Sequence, residues 1–242
     1  MFSPSHTLVR LFLTATLVAP TAAAFAQIEG DGKIDVIFSD SFETGDTSAW
    51  SSAVNIAPTD VKPKAATVGN FGLSSNPNSV MYVEDDSPLA ERGYAAKFFV
   101  DPSNLTLQQK SIAIFAAFDT TQRAPVLLLP LSQSQRGFLV RAETLTVNGY
   151  VAGPWAPLGS GPHLVEVAWT RTPSASKALG LVTLAIDGTF VSQVAGLANP
   201  YGIDTIRLGL PNATIAKNSG EIYFDEFEAR RLPTIGPGAI SN

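Results

Sequence analysis

No segment of this chain holds a helical hydrophobic period; short apolar or alternating runs, cut by Gly, Pro, Asn and Asp, follow one another instead. Candidate strands fall at 36–42, 79–84, 93–100, 111–119, 125–131, 137–143, 163–171, 179–187, 189–194, 204–210 and 221–231. In 163–171, Val165, Val167 and Trp169 share one face while Glu166, Ala168 and Thr170 share the other, the period of a half-buried strand. Asp187-Gly188 between two apolar runs predicts a tight hairpin, because both positions of a primed turn need positive φ. Many strands without intervening helices predict an all-β antiparallel sandwich rather than βαβ units. No internal repeat supports a propeller or solenoid. The loop-rich stretch 53–78 reads as surface connections within one domain over 27–232, with 233–242 as a flexible tail.

Composition then removes whole classes of function. The 242 residues contain no Cys, which excludes disulfides, thiolate nucleophiles and Cys-ligated metals. Sixteen basic against 21 acidic residues leave a charge of −5 and no basic surface for nucleic acid. Residues 1–26 read as a signal peptide: Arg10, a short apolar stretch, Pro20, and Ala24 and Ala26 before a cleavage point at Gln27. Cleavage leaves 15 basic and 21 acidic residues, a charge of −6, with His163 as the single histidine. No later run is long enough to span a bilayer, so the expected destination is the periplasm, cell surface or medium.

Three segments carry a resemblance. FSDSFETGDTSAWS (38–51) resembles the opening of many secreted bacterial jelly-roll modules, and GEIYFDEFEARR (220–231) resembles the closing strand of laminin-G-like and carbohydrate-binding modules. Between them, GPHLVEVAWTR with LVTLAIDGTFVSQV resembles the central hairpin of concanavalin A-like domains. Where relatives carry an aromatic residue before the histidine, this chain has Pro162, so no role attaches to that position. The resemblance implies a concanavalin A-like antiparallel jelly roll whose first and last strands lie side by side. It further implies that Glu43, Asp46 and Asp225 converge as oxygen ligands of a structural Ca²⁺, the hard cation such acids suit. The alternative is that Glu43 and Asp46 shape the turn before Trp50 and that Asp225 is an exposed strand acid.

Catalytic groups are sparse. Laminarinase-type relatives of this fold use a Glu-x-Asp-x-x-Glu strand. Strict alternation here places Glu221 and Asp225 on one face and Glu226 and Glu228 on the other, so neither face has three acids. Glu84, Asp85 and Asp86 read as a solvated loop, and His163 as a structural residue beside a turn rather than part of a Ser-His-Asp system. Lys97, Arg136, Arg141 and Tyr150 keep a polysaccharide lyase open, but no catalytic residue is assigned. Binding is easier to accommodate, because a sugar needs an aromatic platform with polar partners. Trp155, in a Gly- and Pro-rich loop with Tyr150 and Asn148, is the leading platform, and Tyr201 is a second loop aromatic. Trp169 is expected in the core and Trp50 as a packing anchor. The sequence therefore predicts an exported, non-catalytic module binding a polysaccharide or cell-surface glycan. A lyase or glycoside hydrolase of the same fold, and a structural or adhesive surface protein, are the alternatives.

Overall fold

The computed structural model describes residues 35–108, 111–174, 176–212 and 218–232; the expected signal peptide and tail lie outside the described residues. A front sheet runs in the order β16 (Thr189–Leu197), β15 (Gly180–Ile186), β14 (His163–Thr170), β6 (Gly93–Asp101), β19 (Ile222–Arg231), β4 (Gly72–Ser75) and β3 (Val61–Lys62), with β1 (Val36–Asp40) also paired to β19. A back sheet runs β12 (Gly149–Ala152), β11 (Glu143–Thr146), β9 (Leu127–Ser134), β8 (Ile112–Phe118), β17 (Thr205–Leu210), β5 (Met81–Asp85) and β2 (Ser52–Val54). Off its path, β10 (Gly137–Val140) pairs with β9 and with β13 (Ala156–Gly159). A small ribbon joins β7 (Leu105–Thr106) to β18 (Ser219–Gly220). The pairings are antiparallel, and β1 lies on β19 as the resemblance implies. No helix among the described residues is long and apolar enough to cross a membrane.

Alternation builds the core. Val165, Val167 and Trp169 of β14 meet Ala96, Phe98 and Val100 of β6 and Ile114, Phe115, Leu127 and Leu129 of the back sheet in one buried cluster. Each large apolar side chain buried this way contributes about 1.5–3 kcal/mol. Trp169 is in the core as expected, and its Nε1–H donates to Thr144 Oγ1 at 3.0 Å, so burial leaves no orphaned donor. Trp50 is the expected packing anchor: it stacks on Phe42 at 6.0 Å and donates Nε1–H to Asp40 Oδ2 at 2.6 Å. The hairpin turn is also as expected, with Asp187 at φ 52° and Gly188 at φ 71°.

Two stretches expected as loops contain strands. Within 53–78 lie β3 and β4, which bury Val61 and Leu73, and within the Trp155 loop, 147–161, lie β12 and β13. These strands are short and rich in Gly, Ser and Pro, so ladder hydrogen bonds hold them where apolar periodicity is absent. The acidic 84–86 run is likewise more ordered than expected: Glu84 accepts from Arg207 Nε at 2.6 Å and Asp85 is buried.

The departure that matters most is in β19. Phe224 and Phe227 are three residues apart, yet both are 1% exposed and both point into the core. Opposite β6, Asp225 pairs with Phe99 and Glu228 with Lys97, so two residues of β19 face only Phe98. This is a β-bulge, with Glu226 at φ 50°. The bulge shifts the parity of everything after it. Glu226 and Glu228 therefore stand on the same outer side as Asp225, which corrects the separation that strict alternation predicts.

Candidate functional site

The bulge opens a cleft of about 530 Å³ on the outer side of the front sheet, lined among others by Asp40, Val68, Lys97, Phe99, Leu164, Glu226 and Glu228. Register explains the grouping: Ser39, Glu228, Lys97 and Glu166 form one row across four strands, and Asp225, Phe99 and Leu164 form the neighbouring row. Lys97 Nζ sits 3.3 Å from Glu228 Oε2, and Arg230 also binds Glu228. Burial pushes the Glu228 carboxyl up, but Arg230 and Lys97 outweigh it and hold it below the usual range. Glu226 goes the other way. Burial, then the charges of Asp225, Glu43 and Asp40, push it up against the opposing pull of Lys97. Among the described residues, no hydrogen bond reaches its carboxylate.

Two further carboxylates lie behind Glu226, close enough to act on it. Asp225 is 0% exposed, and its Oδ2 accepts Thr67 N–H at 2.7 Å and Val68 N–H at 2.9 Å, while its Oδ1 accepts Glu226 N–H at 2.8 Å. Burial raises its pKa against the pull of those amides. Glu43 Oε1 accepts Asn70 N–H at 2.7 Å and Phe71 N–H at 2.9 Å, and its Oε2 accepts Asn70 Nδ2–H at 2.9 Å. Those bonds, Phe71 first, hold Glu43 below its ordinary value. The intervening Gly69 has φ 69°, and a Cβ there would lie 2.4 Å from Glu43 Oε1. Only glycine fits between the two clamps.

The structure thus brings Glu43 and Asp225 to one loop but turns Asp46 to its own. Asp46 Oδ1 accepts Ser48 N–H at 3.0 Å, Ser48 Oγ–H at 2.7 Å and Thr44 Oγ1–H at 3.1 Å. Among the described residues, no group of three or more His, Asp or Glu stands together as a metal-holding set. The atoms around Glu43 and Asp225 are N–H donors. They present the positive ends of dipoles to these oxygens and so offset part of the carboxylates' charge.

The expected sugar platform lies on the other sheet. Trp155 is half-buried beneath Arg141, whose guanidinium carbon is 4.4 Å from the ring centre and whose Nε donates to Glu143 at 2.8 Å. Tyr150 is 43% exposed and donates its hydroxyl to Pro125 O at 2.6 Å. Asn148 sits exposed in the β11–β12 turn, and Tyr201 packs half-buried against the core. Trp155 and Tyr150 therefore share a side of the back sheet with Arg141 and Glu143, while the cleft belongs to the front sheet. His163 lies beside the hairpin turn, its Nδ1 2.8 Å from Asp187 Oδ2. The sequence named Lys97 only beside Arg136, Arg141 and Tyr150, which the cleft does not include, and gave no sign of Phe99. The three-residue spacing of Phe224 and Phe227 inside a strand was the signal for the bulge that assembles them.

Just before β19, Glu221 gathers Lys62, Lys64 at 3.1 Å, Tyr223 Oη–H at 2.8 Å and Ser74 Oγ–H at 3.2 Å. Lys62 above all lowers its pKa to about 2. A depressed carboxylate stabilises the fold above its unfolded pKa, and that contribution is lost as pH falls from about 4.5 towards 2. Solvent screening at this partly open position limits it to about 1 kcal/mol. Urea melts should accordingly show Glu221→Gln losing stability at neutral pH while narrowing its gap to the parent as pH falls through that window.

No family model matches the chain, and no curated protein sequence matches it. Solved structures do. An alginate lyase, Aly36B, in complex with an alginate trisaccharide superposes with a TM-score of 0.54 at 11% identity, over 84% of this chain and 96% of that one. The cellulose-induced protein Cip1 gives 0.54 at 12% identity, over 81% and 98%. The ligand-binding domain of botulinum neurotoxin serotype D, in complex with N-acetylneuraminic acid, gives 0.50 at 10% identity, over 77% of this chain but 44% of that one. At such identities the likeness carries architecture alone, and it agrees with the sheets: the chain is an antiparallel jelly-roll β-sandwich.

Proposed function

We propose that this protein is an exported glycan-binding jelly roll and that the front-sheet cleft is its binding site. One observation carries the reading: the cleft joins an apolar floor, Phe99 and Leu164, to a carboxylate rim, Asp40, Glu226 and Glu228. A pyranose offers the complement, a CH face to stack and a ring of hydroxyls to donate. Two proteins of the same fold, the alginate lyase and the neurotoxin domain, are described with bound sugars, which supports a glycan over other small ligands. A polysaccharide panel tested by calorimetry is the direct check. Phe99→Ala should weaken the best ligand at least tenfold, a loss of about 1.4 kcal/mol, while Trp155→Ala on the opposite sheet leaves it unchanged. The reverse outcome would move the site to the back sheet.

A second reading, hydrolysis, is favoured by the opposed states of two acids on one strand. Glu226 is pushed towards its protonated form and Glu228 towards its ionised form, the pattern of an acid beside a carboxylate. New reducing ends from a polysaccharide, cut by about a hundredfold or more in Glu226→Gln, would establish it.

In the binding reading, the carboxylate clamp on residues 67–71, rather than calcium, ties the start of the chain to its last strand.

A further inference from the structure

The charge of the cleft narrows its ligand, and the narrowing rests on the glycan reading above. The acids here do not stand on a bare surface: they rim a cavity with an aromatic floor. Asp40, Glu226 and Glu228 face the cavity, and Asp225 and Glu43 lie close enough behind Glu226 to act on it. Lys97 is the one cation among the lining residues, and it is committed to Glu228 at 3.3 Å. Arg230, the next cation along β19, is committed to the same carboxylate. Asp40 already accepts from Phe42 N–H at 3.0 Å and from Trp50. Among the lining carboxylates, Glu226 therefore presents an unmet acceptor, in a field its neighbours make negative.

We infer that the cleft selects glycans bearing primary ammonium groups, such as polymers of free glucosamine, over their N-acetylated or uronic-acid counterparts. An ammonium brings three donors and a positive charge. Placed against Glu226 it forms charge-assisted hydrogen bonds, roughly twice as strong as neutral ones. It also relieves the repulsion among Glu226, Asp225, Glu43 and Asp40. A uronate brings a carboxylate into the same field and is repelled. An acetamide brings one N–H and no charge, so it offers Glu226 a single donor and leaves the negative field uncompensated.

The test compares fully deacetylated glucosamine oligomers, the same oligomers N-acetylated, and oligouronates of equal length, by calorimetry near pH 6 and at low and high salt. The deacetylated oligomer should bind at least tenfold tighter than the N-acetylated one, and the ratio should shrink as salt screens the field. Glu226→Gln, checked for an unchanged melt, should bring the ratio down towards one, whereas Trp155→Ala should leave it alone. Equal binding of the first two oligomers, or preference for the uronate, overturns the selectivity and leaves glycan binding standing. Binding of none of the three overturns both.

Discussion

Asp225→Ala lowers the melting temperature by roughly 6–12 °C, and EDTA applied to the parent protein leaves it unmoved. The side chain is wholly buried and receives three backbone N–H groups, from Thr67, Val68 and Glu226. Alanine leaves all three amides without their acceptor, at about 1 kcal/mol or more each. A domain of this size shifts by about 2–4 °C for each kcal/mol. Asp225→Asn should fall between, because the amide keeps one accepting oxygen but turns an NH₂ towards an N–H. The chelator arm separates two accounts that the mutant alone does not. A ligand bound only to the native state stabilises it by mass action. A melting temperature that drops in EDTA and returns with excess Ca²⁺ would therefore put a cation at this junction and sink the clamp as its sole support.

Phe227→Ala should cost about 3–5 kcal/mol, the usual range for a buried phenylalanine emptied to a cavity. Its ring is the node between sheets: Trp50 lies 5.2 Å away, Phe98 6.3 Å and Phe115 6.4 Å. Domains hold only about 5–15 kcal/mol in total, so the urea midpoint should fall by a large fraction. Glycan affinity should fall with it, because the same residue anchors the bulge that carries Glu226 and Glu228 into the cleft. A loss under about 1 kcal/mol would mean that the site collapses around the missing ring and that the bulge is not pinned by it.

These two positions show where sequence patterning works. Strand β14 alternates in its letters because Val165, Val167 and Trp169 fill the core, while Glu166 and Ala168, though covered as well, lie on the other face. The Asp187-Gly188 turn is legible because positive φ restricts chemistry. Strand β4, GLSS, is invisible to the same reasoning, since all four residues are buried with little apolar character. The cleft failed for a third reason. One extra residue in β19 reverses parity, so a correct strand assignment still sends Glu226 and Glu228 to the wrong side. The partners of Glu43 and Asp225 were also beyond reach, because backbone amides carry no letter of their own.

The clamp also orders events in time. Thr67 and Asp225 are 158 positions apart. Strand β6, at the centre of the front sheet, has both its neighbours, β14 and β19, far downstream. The first half of the chain therefore has no completed sheet to rest on until its last strand is available. Such non-local closure places folding in the millisecond-to-second range, and a chain ended before Ile222 should remain open and protease-sensitive. Asp225 is then the latch that arrives last.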